Sequence, residues 1–349
     1  MTSQLSYKFV NGLTGDPAVF LTFAQSSDAL LFDAGDLGAL THKELLRVKL
    51  VCITHTHFDH FFGFDRLIRV NIPHSRTLEV IGPTGITANI VAKLRGYLWN
   101  LLIPDQVNFI VHEISDNQEI TSSMVSNTTN FSPVLLNSET PLRLNQTNNV
   151  VKTRLPWLEL KTCLLDHGTS VLSFMVKLKD TYSIDEAALE SLGLTPGPWI
   201  SHLQRISRGE DQSSLVDISG KSYLATDLIA KISRHKEGER LSYVTDIVFS
   251  KSNIDKLSTA FFSTNTLICE ANYLAEHREK AFAKKHLTTR QAALIAARLL
   301  ANSLKIFHIS GIYEGCAEQN VAESSLFFNE FQSFSPEALN SELLAEFKV

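Results

Sequence analysis

The chain has 349 residues, with Lys+Arg 32 against Asp+Glu 37, a formal net charge of −5, and 44% hydrophobic, 9% aromatic and 20% charged residues. Such a composition excludes collagen-like, low-complexity and disordered classes and fits one large or two modest globular domains. A net negative chain has no overall attraction for nucleic acid or anionic membrane, so a polyanionic substrate needs a local basic patch. No apolar run approaches a membrane-spanning length, and Met1-Thr2-Ser3-Gln4-Leu5 does not open a signal-peptide pattern. A cytoplasmic protein with no membrane attachment is expected. Cys52, Cys163, Cys269 and Cys316 form no CxxC pair and read as free thiols, neither a disulfide framework nor a zinc finger.

In chain order, residues 19–33 read as a hairpin, 41–48 as a short helix and 49–54 as an apolar strand that stops at His55. A helix follows the His-rich loop. Residues 78–81 form a strand closed by Gly82-Pro83, and 84–101 have the composition of a helix ending near Pro104. The stretch from about 115 to 149 is loaded with Ser, Thr and Asn and predicts strands with long loops or an insertion. Strands are expected at 157–165 and 170–178, helices at 184–192 and 199–206 around the sharp turn GLTPGP (193–198), and strands at 242–245 and 266–269. The spacing of Ala292, Ile295, Ala296 and Leu299 behind an N-capping Thr288 predicts a helix over 288–304, then a strand at 305–309.

The chemistry is concentrated in THTHFDH, residues 54–60. Three histidines and an aspartate directly follow a strand, and imidazole nitrogens with a carboxylate suit zinc and other divalent first-row ions. A solvated His-rich loop is the alternative, but such loops rarely join a core strand to a helix. One segment cannot complete two metal spheres, so further ligands must come from elsewhere. On residue type alone, His167 after a strand and His308 within an apolar strand read as structural histidines. Asp246 and Asp227 both remain open as carboxylate donors. His286 stands just before the helix at 288, where the positive end of the helix dipole favours anions and should lower an imidazole pKa. Residues 277–290 carry Arg278, Lys280, Lys284, Lys285 and Arg290, a local basic stretch on an acidic chain.

The loop resembles the His-x-His-x-Asp-His motif of the metallo-β-lactamase fold, and the rest of the chain sharpens the likeness towards the ribonuclease Z family of tRNA 3′-processing endoribonucleases. Five segments carry it in order: THTHFDHFFGFDRLIR, LEVIGPTGI, CLLDHGTSVLSFMV, ALESLGLTPGPWISHLQR, and CEANYLAEHREKAFAKKHLTTRQAALIAARL leading to IFHISGIYEG. Most of residues 19–316 are covered. The resemblance implies an α/β chain with the αββα sandwich, one domain over 1–349 with an insertion at about 113–150 and a small protruding Pro-Gly-rich arm at about 177–208.

It also implies two divalent ions per chain, zinc first and manganese as the alternative. His55, His57 and His167 would hold one, Asp59, His60 and His308 the other, with Asp246 bridging in preference to Asp227. The ions would activate a bridging water as hydroxide, Asp59 would orient it, and His286, kept in place by Glu270, would act on the scissile phosphate and leaving group. The implied partner is RNA, with the 3′ trailer of pre-tRNA as candidate substrate and Arg205 and Arg208 of the arm as phosphate contacts; homodimers are common in the family. Departures touch substrate rather than metal: the family's amino-terminal loop is not recognisable in LTGDPAVFLTF, Ile312 replaces an arginine before Tyr313, and Cys269 replaces a histidine. A small phosphodiester such as a cyclic nucleotide, or another ester, is therefore the alternative substrate class. A metal-binding or RNA-binding protein without turnover is the third reading.

Overall fold

The computed structural model describes residues 4–136, 142–143, 150–207, 211 and 213–347. Strands β1 (Leu5–Phe9), β2 (Val19–Phe23) and β3 (Ser26–Phe32) pair antiparallel. Helix α1 (His42–Arg47), opened by a Thr41–Glu44 capping box, leads to β4 (Val48–Cys52), which lies parallel to β3. The His-rich loop passes into the short α2 (Phe58–Phe61) and α3 (Phe64–Asn71). Then come β5 (Thr77–Pro83), α4 (Ile86–Arg95), β6 (Asn108–Ile114), β7 (Glu119–Ser126), β8 (Val134–Leu135) and β9 (Leu142–Arg143). Among the described residues these strands make one sheet of nine, parallel from β3 to β6. The Ser- and Asn-rich stretch thus begins as sheet, while 137–141 and 144–149 lie outside the described residues.

The chain continues through β10 (Val150–Val151), β11 (Leu158–Asp166) and β12 (Ser170–Leu178). A separate compact unit spans Lys177–Glu239. It contains β13 (Thr181–Ile184), α5 (Glu186–Ser191), α6 (Trp199–Ser207), the hairpin β14 (Leu215–Ile218) and β15 (Lys221–Leu224), α7 (Ala225–Ile232) and β16 (Ser233–Lys236). The stretch 177–208, expected as an arm, lies within this unit, which runs on to Glu239. Its core of Leu189, Trp199 and Leu203 is completed only by Val216, Leu228 and Ile232, and β13 pairs with β16. Ser219 (φ 51°) and Gly220 (φ 81°) make the two-residue turn that the β14–β15 hairpin requires.

The first unit resumes with β17 (Arg240–Val244), α8 (Lys251–Ala260), β18 (Thr266–Glu270), α9 (Arg278–Lys284), α10 (Thr289–Arg298), β19 (Ser303–Phe307), α11 (Glu318–Gln332) and α12 (Pro336–Glu346). Among the described residues the second sheet has six strands in the order β10-β11-β12-β17-β18-β19, with β17, β18 and β19 parallel. The two sheets of this unit face each other where Phe32 stacks on Tyr243 at 4.8 Å and on Phe174 at 5.8 Å. Outside the first sheet pack Leu45, Leu67, Ile90 and Leu94; outside the second pack Leu257, Ile295, Phe331 and Leu343. The layers are therefore helix, sheet, sheet, helix. Ile295 is 1% exposed, so Ile295→Ala should cost about 2–5 kcal/mol.

Two expected helices are shorter than their patterns. α4 stops at Arg95 because Gly96 caps it and the Trp99 indole N–H donates to the Leu94 carbonyl, ending the ladder. α10 stops at Arg298: Leu300 turns left-handed (φ 51°), and the backbone N–H groups of Asn302 and Ser303 bond the Asn265 carbonyl, drawing the chain into β19. Cys52, Cys163 and Cys269 are buried free thiols, and Cys316 is half-buried and free. Among the described residues no helix is long and apolar enough to cross a membrane.

Candidate metal centre

The sequence-predicted donors converge at the carboxyl ends of strands, where the connections leaving the sheet form open loops. His55 follows β4, His167 lies in the turn after β11, Asp246 follows β17, Glu270 ends β18 and His308 follows β19. Asp246 and His308 both have left-handed backbone (φ 52° each), a conformation that costs of order 1–3 kcal/mol and clusters at functional sites.

Three groups of donors emerge among the described residues. His55, His57, His167 and Asp246 bring ligand atoms within 4.8 Å of one another, and so do Asp59, His60 and His308, and Asp246, Glu270, His286 and His308. The Asp246 Oδ2 atom lies 3.6, 3.4 and 3.5 Å from the Nε2 atoms of His55, His60 and His167. Asp59 Oδ2 stands 3.6 Å from His60 Nε2 and 3.5 Å from His308 Nε2. These separations are too long for strong hydrogen bonds. They match neighbouring ligands of a tetrahedral ion, which at bond lengths of about 2.0–2.1 Å stand roughly 3.3–3.4 Å apart. The Nε2 atoms of His55 and His60 are buried with no hydrogen-bond partner, the condition a divalent ion would relieve. Asp227 is exposed in the first turn of α7 and is in none of these groups.

The ring orientations have identifiable causes. His60 Nδ1 donates to Asp33 Oδ2 at 2.9 Å, His167 Nδ1 to the Lys285 carbonyl at 2.8 Å and His308 Nδ1 to Asp246 Oδ1 at 2.8 Å. Each bond fixes a tautomer whose Nε2 lone pair points into the centre. Charge follows the same partners. Burial and the neighbouring His60 hold the His55 imidazole down at about 2. His60 is equally buried, yet the carboxylates of Asp246 and Asp33 outweigh burial and hold it well above its ordinary value. Burial would lower His308, but Asp246 and Asp59 push it up to about 10. Asp59 is drawn down to about 2, the bond and charge of His308 overcoming burial. The same carboxylates that favour a proton on His60 and His308 would favour a metal cation, which would compete with that proton for Nε2.

His286 and Glu270 form a second constellation. The imidazole Nδ1 donates to Glu270 Oε2 at 2.7 Å, while Oε1 accepts from the Ile247 backbone N–H at 2.9 Å. Glu270 is fully buried with both oxygens engaged, which marks it as a partner of His286 although it lies within reach of Asp246 and His308. The helix dipole was expected to lower the His286 pKa; instead it is raised, because the Glu270 carboxylate outweighs burial. The basic stretch also divides. Arg278 and Arg290 bond Glu346, Arg290 also bonds Glu342 and lies over the rings of Phe327 and Phe331, and Lys280 lies over Tyr273. In the other unit Arg205 pairs with Asp211 at 3.4 Å, and Arg208 is outside the described residues.

Sequence reasoning missed Asp33, Thr54 and Tyr243. Asp33 is fully buried and accepts from the Thr54 backbone N–H at 2.7 Å, the Thr54 hydroxyl at 3.0 Å, the Tyr243 hydroxyl at 2.8 Å and His60. It joins both sheets beneath the metal loop. The available signal was an aspartate closing the apolar strand in LLFDAG.

The metallo-beta-lactamase superfamily profile matches residues 21–87. The chain is 29% identical over 315 residues to the Ribonuclease Z of Deinococcus radiodurans, covering 89% of this chain and 91% of that protein. It is 26% identical over 294 residues to the Ribonuclease Z of Pyrococcus furiosus, covering 81% and 77%. Among solved structures it is similar to the short form of human tRNase Z, with TM-score 0.52 and 18% identity over 89% of this chain and 93% of that one. The Bacillus subtilis metallo-beta-lactamase fold protein YhfI gives TM-score 0.50 and 14% identity over 92% of each chain. The chain has the metallo-β-lactamase fold, resembles ribonuclease Z, and is a metal-dependent hydrolase.

Proposed function

We propose that this hydrolase is an endoribonuclease of ribonuclease Z type, acting in the cytoplasm as a homodimer to remove the 3′ trailer of pre-tRNA. The observation that carries the reading is the Asp246 carboxylate, whose Oδ2 faces three histidine Nε2 atoms at 3.4–3.6 Å, in a chain similar to Ribonuclease Z over 89% of its length. Two divalent ions fit the donors, zinc first for His-rich sets with carboxylates. His55, His57 and His167 would hold one, Asp59, His60 and His308 the other, with Asp246 between them. When bound, the ions supply activated water at neutral pH and neutralise the phosphodiester oxygens.

The chain's own residues do the rest. Asp59 is partly exposed and can orient the attacking water or accept its proton. As the bond from water oxygen to phosphorus forms and the bond to the 3′ oxygen breaks, the His286 Nε2 proton passes to the leaving oxygen. Glu270, bonded at Nδ1, keeps the ring oriented and more readily protonated. The unit at Lys177–Glu239 is assigned to holding the body of the tRNA away from the reacting phosphate.

The test is hydrolysis of a pre-tRNA carrying a 3′ trailer beside bis(p-nitrophenyl) phosphate, with zinc or manganese supplied. Cleavage of both at the trailer junction and the small ester is expected. Hydrolysis of the ester with pre-tRNA untouched at low salt would overturn the RNA reading in favour of a small-phosphodiester hydrolase, and no hydrolysis of either with metal bound would favour a binding protein.

A further inference from the structure

We infer that Lys285 is a substrate-contacting residue, its ammonium binding the RNA phosphate next to the scissile one. The inference rests on the endoribonuclease reading above. α9 ends at Lys285 in left-handed conformation (φ 61°), which is unfavourable for a residue with a side chain. This turn does two things at once. It aims the Lys285 carbonyl at His167 Nδ1, 2.8 Å away, and it sends the side chain back across Gly168. Gly168 is itself left-handed (φ 81°), and a methyl group there would overlap the Lys285 Nζ, with Cε at 3.0 Å and Cδ at 3.1 Å. The space above Gly168 is thus filled by the ammonium, beside a candidate metal ligand and one residue from His286.

That ammonium has no acceptor: among the described residues no hydrogen bond or ion pair to Lys285 Nζ is formed. Arg278 and Arg290 are committed to Glu346 and Glu342, and Lys280 to an aromatic face. Lys284 is exposed and also unpaired, but lies within α9 with no comparable seat. A carbonyl alone could be supplied at this position by glycine without backbone strain. The lysine side chain therefore calls for its own reason. The ammonium lies over the Gly168 backbone, next in the chain to His167, whose Nδ1 bonds the Lys285 carbonyl. It is outside the donor sphere and placed for a neighbouring phosphate of a strand whose scissile group lies at the centre.

The experiment compares Lys285→Gly, Lys285→Arg and Lys284→Met with the wild type. Measurements are KM and kcat on pre-tRNA, its Kd across a salt series, and kcat/KM on bis(p-nitrophenyl) phosphate, which has no neighbouring phosphate. Lys285→Gly should raise pre-tRNA Kd and KM about tenfold with metal content retained, and reduce the log–log salt slope by about one. Its loss on pre-tRNA should exceed its loss on the small ester at least fivefold, Lys285→Arg should restore most of it, and Lys284→Met should change Kd less than twofold. Equal losses on both substrates would mean that Lys285 acts only through His167, and an unchanged Kd and salt slope would mean that it touches no phosphate; either result overturns the inference. A wild type that cleaves no pre-tRNA would instead refute the endoribonuclease reading.

Discussion

Four candidate ligands, His55, His57, Asp59 and His60, sit within one turn of chain after β4, whereas His167, Asp246 and His308 come from three separate strand ends. The first group is built locally: a strand stops, α2 begins, and alternate side chains fall on one side. The second group exists only because β11, β17 and β19 lie in one sheet, and Asp246 and His308 hold their positions with left-handed backbone. A candidate centre split this way has one half assembled by the loop and one half by the fold. The Asp246 carboxylate faces histidines of both halves, His55 and His60 from the loop and His167 from a strand end.

The sharpest way to break that division is Asp246→Ala. It should remove both ions and lower hydrolysis by more than about 10³-fold, whereas His57→Ala, at the exposed rim of one group, should lose one ion and keep the other. Elemental analysis alongside turnover separates the two outcomes. Next in size is His286→Ala, which should keep both ions and lower kcat by roughly 10²–10⁴. Loss of metal in that variant would make His286 a ligand.

Replacing the whole unit Lys177–Glu239 by a short Gly-Ser link comes third. Leu178 N bonds the Glu239 carbonyl at 2.9 Å, so the ends of the excised segment are close and a short link spans them. Pre-tRNA cleavage should fall by about 10–100-fold or more through KM, while bis(p-nitrophenyl) phosphate is still hydrolysed. Smaller again is Asp33→Asn. Its carboxylate fixes the His60 tautomer and accepts from Tyr243, so zinc affinity should weaken about 10–100-fold with the fold retained, measured by chelator competition. Asp227→Asn, on the exposed side of α7, should change neither metal content nor turnover.

The legibility of the sequence follows the same division. THTHFDH could be read from composition because four donors after a strand have few structural uses. His167 and His308 could not, since a single histidine at a strand end has many, and only the likeness to a family drew them in. Asp33 was missed because its role depends on Tyr243, 210 positions away, and on a sheet-to-sheet contact that no local pattern encodes. Residues 215–239 were missed for a different reason: strands of four residues lack a measurable period, and their apolar positions Val216 and Ile218 are buried only through packing with residues of α5 and α6 distant in the chain. Helix α10 was overextended because Ala301 and Leu304 continue its apolar spacing, while backbone bonds to Asn265 decide where it ends. The basic stretch misled through α11 and α12, whose acidic and aromatic side chains claim Arg278 and Arg290.

Metal stoichiometry tests the central claim most directly. Zinc-reconstituted wild-type protein, freed of loose ions and weighed against chain concentration, should hold two ions per chain, and Asp246→Ala in the same preparation none. One ion per chain in the wild type, or two retained without the Asp246 carboxylate, would contradict a centre in which that residue joins the local and the dispersed ligands.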